Sequence, residues 1–71
     1  MTVRARTHFT VKEHDGGKEP WICIEYLTAE DGMPQDTFGF DLPVGTTYEQ
    51  AKEIARYMND HIEQFSVTKW P

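Results

Sequence analysis

Few side chains in this 71-residue chain could do covalent or metal chemistry: Cys23 and three histidines, His8, His14 and His61. A zinc centre needs three or four such ligands converging on one point, usually announced by CxxC or HxxxH spacing. Neither spacing occurs. If residues 2–14 and 21–28 pair as strands, Cys23 and His8 share one sheet face, while His61 belongs to a helix on the other. No metal and no cofactor are expected. A thiolate–imidazole pair between Cys23 and His8 would need an exposed thiol of low pKa, whereas a lone cysteine in a sheet usually fills a gap as a small apolar side chain. Acid pairs such as Glu49 and Glu53 stand one helical turn apart on a solvated face, where like charges repel and no cleft tunes a pKa. Gly16-Gly17 marks a hairpin and does not open a helix, so it makes no phosphate loop. These residues describe a non-enzymatic chain with no small-molecule ligand evident.

The remaining chemistry is recognition. Arg4, Arg6 and Lys12 fall in the first twelve residues with no acid among them. His8, Trp21 and Leu27 join them on one face under the strand pairing below, and Trp70 lies near the C-terminal end. Arg and Trp are enriched where interfaces concentrate binding energy, and apolar side chains on a solvent face mark contact surfaces. The expected binding residues are Arg4, Arg6, His8, Lys12, Trp21, Leu27 and Trp70, contacting a protein partner or a second copy of the chain.

The elements that position them can be read from periodicity. Residues 2–14 alternate, with Val3, Ala5, Thr7, Phe9 and Val11 on one side and Arg4, Arg6, His8, Thr10 and Lys12 on the other, which predicts a half-buried strand. Asp15-Gly16-Gly17-Lys18 predicts a tight turn, because glycine accepts the positive φ of primed hairpin turns. Residues 21–28 form the second strand, with Ile22, Ile24 and Tyr26 inward. A two-residue loop at Gly16-Gly17 makes paired positions sum to 33, so Val11 meets Ile22, Phe9 meets Ile24, His8 meets Glu25 and Arg6 meets Leu27. A turn around Asp31-Gly32 leads to a third strand at 36–42, with Phe38, Phe40 and Leu42 inward. Residues 46–65 carry apolar side chains at helical spacing (Tyr48, Ala51, Ile54, Ala55, Met58, Ile62, Phe65), opened by a capping box of Thr46 and Glu49. Residues 66–70 are β-branched enough for a short fourth strand. The expected fold is α+β, one small domain: a three-stranded antiparallel meander with one C-terminal α-helix packed on one face. Its basic strand would lie at the sheet edge, and its core would include Phe40, Tyr48, Ile54 and Ile62.

Twelve acids against seven bases leave a formal charge of −5, which opposes general affinity for phosphates. In architecture, a three-stranded sheet backed by one helix resembles the sheet-reading DNA-binding domains of some integrases and plant transcription factors. Those lay the sheet in the major groove, and Arg4, Arg6, Lys12 and Trp21 stand on the corresponding face. Glu25 and Asp41 would sit inside that footprint and repel phosphates, so nucleic acid ranks behind a protein partner. A further alternative sums Glu30, Asp31 and Asp36 with the helix acids into a surface that mimics nucleic acid, as small phage-encoded inhibitors do. The lone cysteine, the absence of an apolar run in MTVRARTHF and the lack of any membrane-length apolar segment predict a cytoplasmic protein with no membrane partner. The short length, single domain and absence of catalytic spacing fit a small accessory protein of bacterial or phage type.

Overall fold

A computed structural model describes residues 1–13 and 19–70. It contains β1 (Thr2–Glu13), β2 (Pro20–Ala29), β3 (Phe38–Asp41), α1 (Tyr48–His61) and β4 (Gln64–Thr68). The strands form one curled antiparallel sheet in the order β3-β2-β1-β4, with the single helix on its concave face. The turn expected at Asp15–Lys18 lies outside the described residues, as do His14 and Pro71. The pairing that turn implied is present from Thr7↔Tyr26 to Lys12↔Trp21.

The expected partnership of Arg6 with Leu27 is corrected. Arg6 pairs with Thr28 and Ala5 with Ala29, so Leu27 is an extra residue with no partner on β1. A bulge bends the strand and sharpens its twist. The bend shows across the concave face: Phe38 and Phe65, from the two outermost strands, bring their ring centroids within 5.8 Å.

The basic strand is not an edge over its whole length. β4 pairs with Thr2–Arg6, covering that half of β1. The helix therefore stops sooner than its apolar spacing implied. Ile62 turns extended at φ −115°, ψ 120°, and its N–H still donates to the Met58 carbonyl. Phe65 belongs to β4, opposite Ala5. The helix also starts one residue later than expected. Thr47, not Thr46, is the N-cap, exchanging hydrogen bonds with Gln50 in the capping box. Thr46 is engaged in the preceding turn, its hydroxyl donating to the Pro43 carbonyl at 2.7 Å, where Gly45 takes a φ of +91°.

The interior divides into two clusters joined by Tyr26. Phe9, Ile22, Ile24 and Ala55 form the first, flanked by Val11, Phe38, Leu42 and Met58. Ala51 and Ala55 let the helix backbone approach the sheet closely and are the buried residues of its stripe. The helix stands over β1 and β2 and not over β3. Hence Phe40, expected in the core, is 48% exposed, and Tyr48, Ile54 and Ile62 lie half out at the helix margins. Val3, Ala5 and Met33 form the second cluster, with Phe65 and Val67 against it. Met33 reaches it from the loop after β2, which is pinned by Glu30 N–H to the Arg4 carbonyl at 3.0 Å.

Candidate binding surfaces

The convex face of the sheet is built by the even residues of β1. Arg4, Arg6, His8 and Lys12 stand exposed in one row, as their alternation requires. Thr10 donates to the Glu25 carboxylate at 2.6 Å. That hydrogen bond, with the fields of Lys12 and His8, holds the Glu25 carboxyl below its ordinary range. His8 and Glu25 are register partners, as expected. The carboxylate is thus already engaged by this row of residues.

Trp21 lies on this face but is half-buried. Its indole lies across Gly39, where an added Cβ would collide with the ring and come within 2.9 Å of the Ile22 carbonyl oxygen. An aromatic ring laid over a strand glycine fills the place of the missing side chain. Cys23, opposite Gly39 in the ladder, is 5% exposed, not solvent-facing as the alternation implied. Burial raises its thiol pKa, the Glu25 carboxylate adds to this, and Lys12 opposes it. A thiol so placed stays protonated at neutral pH and is a poor nucleophile.

Leu27 is 64% exposed, carried out of the ladder by the bulge. With Arg6 and His8 it borders a cleft of about 340 Å³ that runs to Asn59 and His61 at the helix end. Trp70 is 86% exposed beyond β4, where Lys69 exchanges backbone hydrogen bonds with Met1. Trp21 stands beside Lys12 at the other end of the sheet. Ten residues of strand separate Thr2 from Lys12, about 33 Å at the usual rise. The structure thus brings Arg4, Arg6, His8 and Leu27 together, places Lys12 with Trp21 at one end, and leaves Trp70 apart at the other.

Two features of the opposite margin escape sequence reading. Beyond Arg6, no described strand pairs with the outer side of β1. At Phe9 a helix side chain takes that role: Asn59 accepts from the Phe9 N–H at 2.8 Å and donates to the Phe9 carbonyl at 2.9 Å. Next to it lies a groove of about 510 Å³ between this half of β1 and the helix flank bearing Tyr48, Lys52 and Arg56. A polar Asn59 one turn after Ala55, at the border of the apolar stripe, was the one signal available beforehand.

Among the described residues no group of three or more His, Cys, Asp or Glu side chains could hold a metal ion. His61 instead stacks on Tyr57 with centroids 4.2 Å apart. No helix of the described residues is long and apolar enough to cross a membrane. No protein-family model, no curated protein and no solved structure matches this chain.

Proposed function

We propose that this chain is a small non-enzymatic binding module that contacts a protein partner through the convex sheet face around Arg4, Arg6, His8 and Leu27. The observation that carries the reading is Leu27, a large apolar side chain left 64% exposed at a bulge and set beside a row of bases. An apolar anchor bordered by arginine is the pattern of residues that dominate interface energy. Bulges re-aim side chains at functional positions. Trp21, Lys12 and Trp70 extend the face without sharing one patch with it. The test is affinity capture with the wild-type chain against Leu27→Asp and Arg6→Glu, with retention on heparin at low salt measured in parallel. A protein captured by the wild type and lost by both variants supports the reading. Retention on heparin abolished by Arg6→Glu would replace it with nucleic-acid binding, for which the row Arg4, Arg6, His8 and Lys12 is the favouring observation.

A second copy of the chain is the other partner with an observation behind it. β3 is an outermost strand, and Phe40 on its inner face is half exposed because the helix does not cover it. Antiparallel pairing of two β3 strands about Gly39 would set Phe38 of each copy against Phe40 of the other, the self-complementarity a two-fold interface requires. Light scattering over a dilution series, with Phe40→Asp as control, tests it. A monomer at every concentration removes it.

A further inference from the structure

The open half of β1 has the attributes of a site for one more strand. Phe9 directs its N–H and carbonyl away from β2, because both are taken by Asn59. In an antiparallel ladder this direction repeats every second residue, so the N–H and carbonyl of Val11 face the same way. A carboxamide already makes at Phe9 the pair of bonds that a neighbouring peptide group would make, and Val11 stands next in line. Main-chain groups on such an edge are satisfied by water or by an added strand.

The groove beside this edge also has a sign. Its floor includes Val11 and Ala55, and its far wall is the helix flank with Lys52 and Arg56. His8 joins the lining and, among the described residues, no acid does, in a chain whose formal charge is −5. Lys52 and Arg56 lie one turn apart on the flank that lines the groove, whereas Glu49, Glu53 and Asp60, each within a turn of them, are not part of its lining. Lys52 is held over the Tyr48 ring at 5.7 Å, at the groove. A nucleic acid could answer the charge but has no backbone amide for the strand edge. An extended acidic peptide answers both.

We propose that the groove between the open half of β1 and α1 accepts an extended acidic segment of a partner protein. The segment pairs as a strand with Val11 and sets its carboxylates at Lys52 and Arg56. Asn59 marks where the added strand stops. The proposal goes beyond the convex-face contact and shares only His8 with it, so variants at Arg6 and Leu27 on one side and at Lys52 and Arg56 on the other make the two readings fail separately.

The experiment uses a fluorescein-labelled peptide of alternating valine and glutamate as probe, read by anisotropy and by amide shifts in ¹⁵N spectra. Binding is expected with shifts centred on Val11, Lys52 and Arg56, about tenfold weaker for Lys52→Glu and Arg56→Glu, and weaker as salt rises. Backbone N-methylation of the peptide should abolish it, because strand pairing needs the amide protons. Arg6→Glu and Leu27→Asp should leave it unchanged. Equal binding of a valine–lysine peptide or of a single-stranded oligonucleotide would overturn the proposal. So would shifts confined to the convex face, or no binding at about 1 mM peptide.

Discussion

Replacing Asn59 by alanine tests whether a single side chain closes the edge of β1. Two hydrogen bonds of 2.8 and 2.9 Å join its carboxamide to Phe9 in a part-buried setting. Each such bond contributes about 1 kcal/mol net, so their loss costs about 2 kcal/mol. Alanine is the better helix former by about 0.6 kcal/mol, which offsets part of this. The expected net loss is about 1.5 kcal/mol. For 71 residues, total stability is on the order of 4–11 kcal/mol, so the loss is a sizeable share of it. A domain this small should melt about 6–12 °C lower. Urea unfolding gives the free energy, and hydrogen exchange gives the location: the Phe9 amide should exchange faster relative to its neighbours on β2. Asn59→Asp adds a pH signature. At neutral pH the carboxylate can accept from the Phe9 N–H but cannot donate to the Phe9 carbonyl. Below the carboxylate range it regains a proton to donate, so the gap from wild type should narrow in acid. Stability within about 0.3 kcal/mol of wild type, with unchanged exchange at Phe9, would refute the edge-closing role.

Four further outcomes are expected. The hydroxyls of Thr7 and Tyr26 are buried without a hydrogen-bond partner among the described residues, so Thr7→Val and Tyr26→Phe should hold or raise stability, by up to about 1 kcal/mol each; a lower urea midpoint would show that the hydroxyls are satisfied. Gly39→Ala forces the Trp21 ring off the sheet and crowds the Ile22 carbonyl, and should cost about 1–3 kcal/mol with a red shift in tryptophan emission; an unshifted spectrum contradicts the packing. Cys23 should react with an aromatic disulfide far more slowly in the folded chain than in urea, since its thiol is buried and its pKa is raised; fast native labelling contradicts this. The Glu25 carboxyl is held below its ordinary value, first by Thr10. Its contribution is therefore present above the ordinary carboxylate range and lost as pH falls through its lower folded value. Thr10→Val should move its NMR titration upward, and an unmoved titration would remove Thr10 as the cause.

Much of the sheet was legible because two independent signals agreed. A two-residue loop at the glycine pair set pairs summing to 33, the alternation in 2–13 agreed with that parity, and that register holds from Thr7 to Glu13. The bulge was hidden because Leu27 suits an unbroken alternation as well as a broken one. The end of the helix was hidden because Phe65 lies three residues after Ile62, a spacing that continues a helical stripe while 64–68 also alternates as a strand. Thr46-x-x-Glu49 and Thr47-x-x-Gln50 are overlapping capping boxes, and only the turn at Pro43 decides between them. Met33 sits between Gly32 and Pro34 and resembles turn sequence, yet it fills the second cluster. Of the candidate surface, Arg4, Arg6, His8 and Leu27 could be assembled from strand parity alone. The separation of Trp21 from Trp70 needed the position of β4, and so did the groove at Lys52 and Arg56, which exists because β4 stops at Arg6.

The pairing of Thr2 with Thr68 has a consequence for the order of assembly. The hairpin of β1 and β2 closes a short loop and can form early. The last strand must close a loop of 66 residues, and distant closures are the slow ones. A chain leaving the ribosome would therefore hold β1 with its second neighbour missing until β4 emerges. During that interval Val3 and Ala5 lack Phe65 and Val67 above them. Arg4 and Arg6 on the same strand then act as charged guards, discouraging a second nascent chain from taking the place reserved for β4.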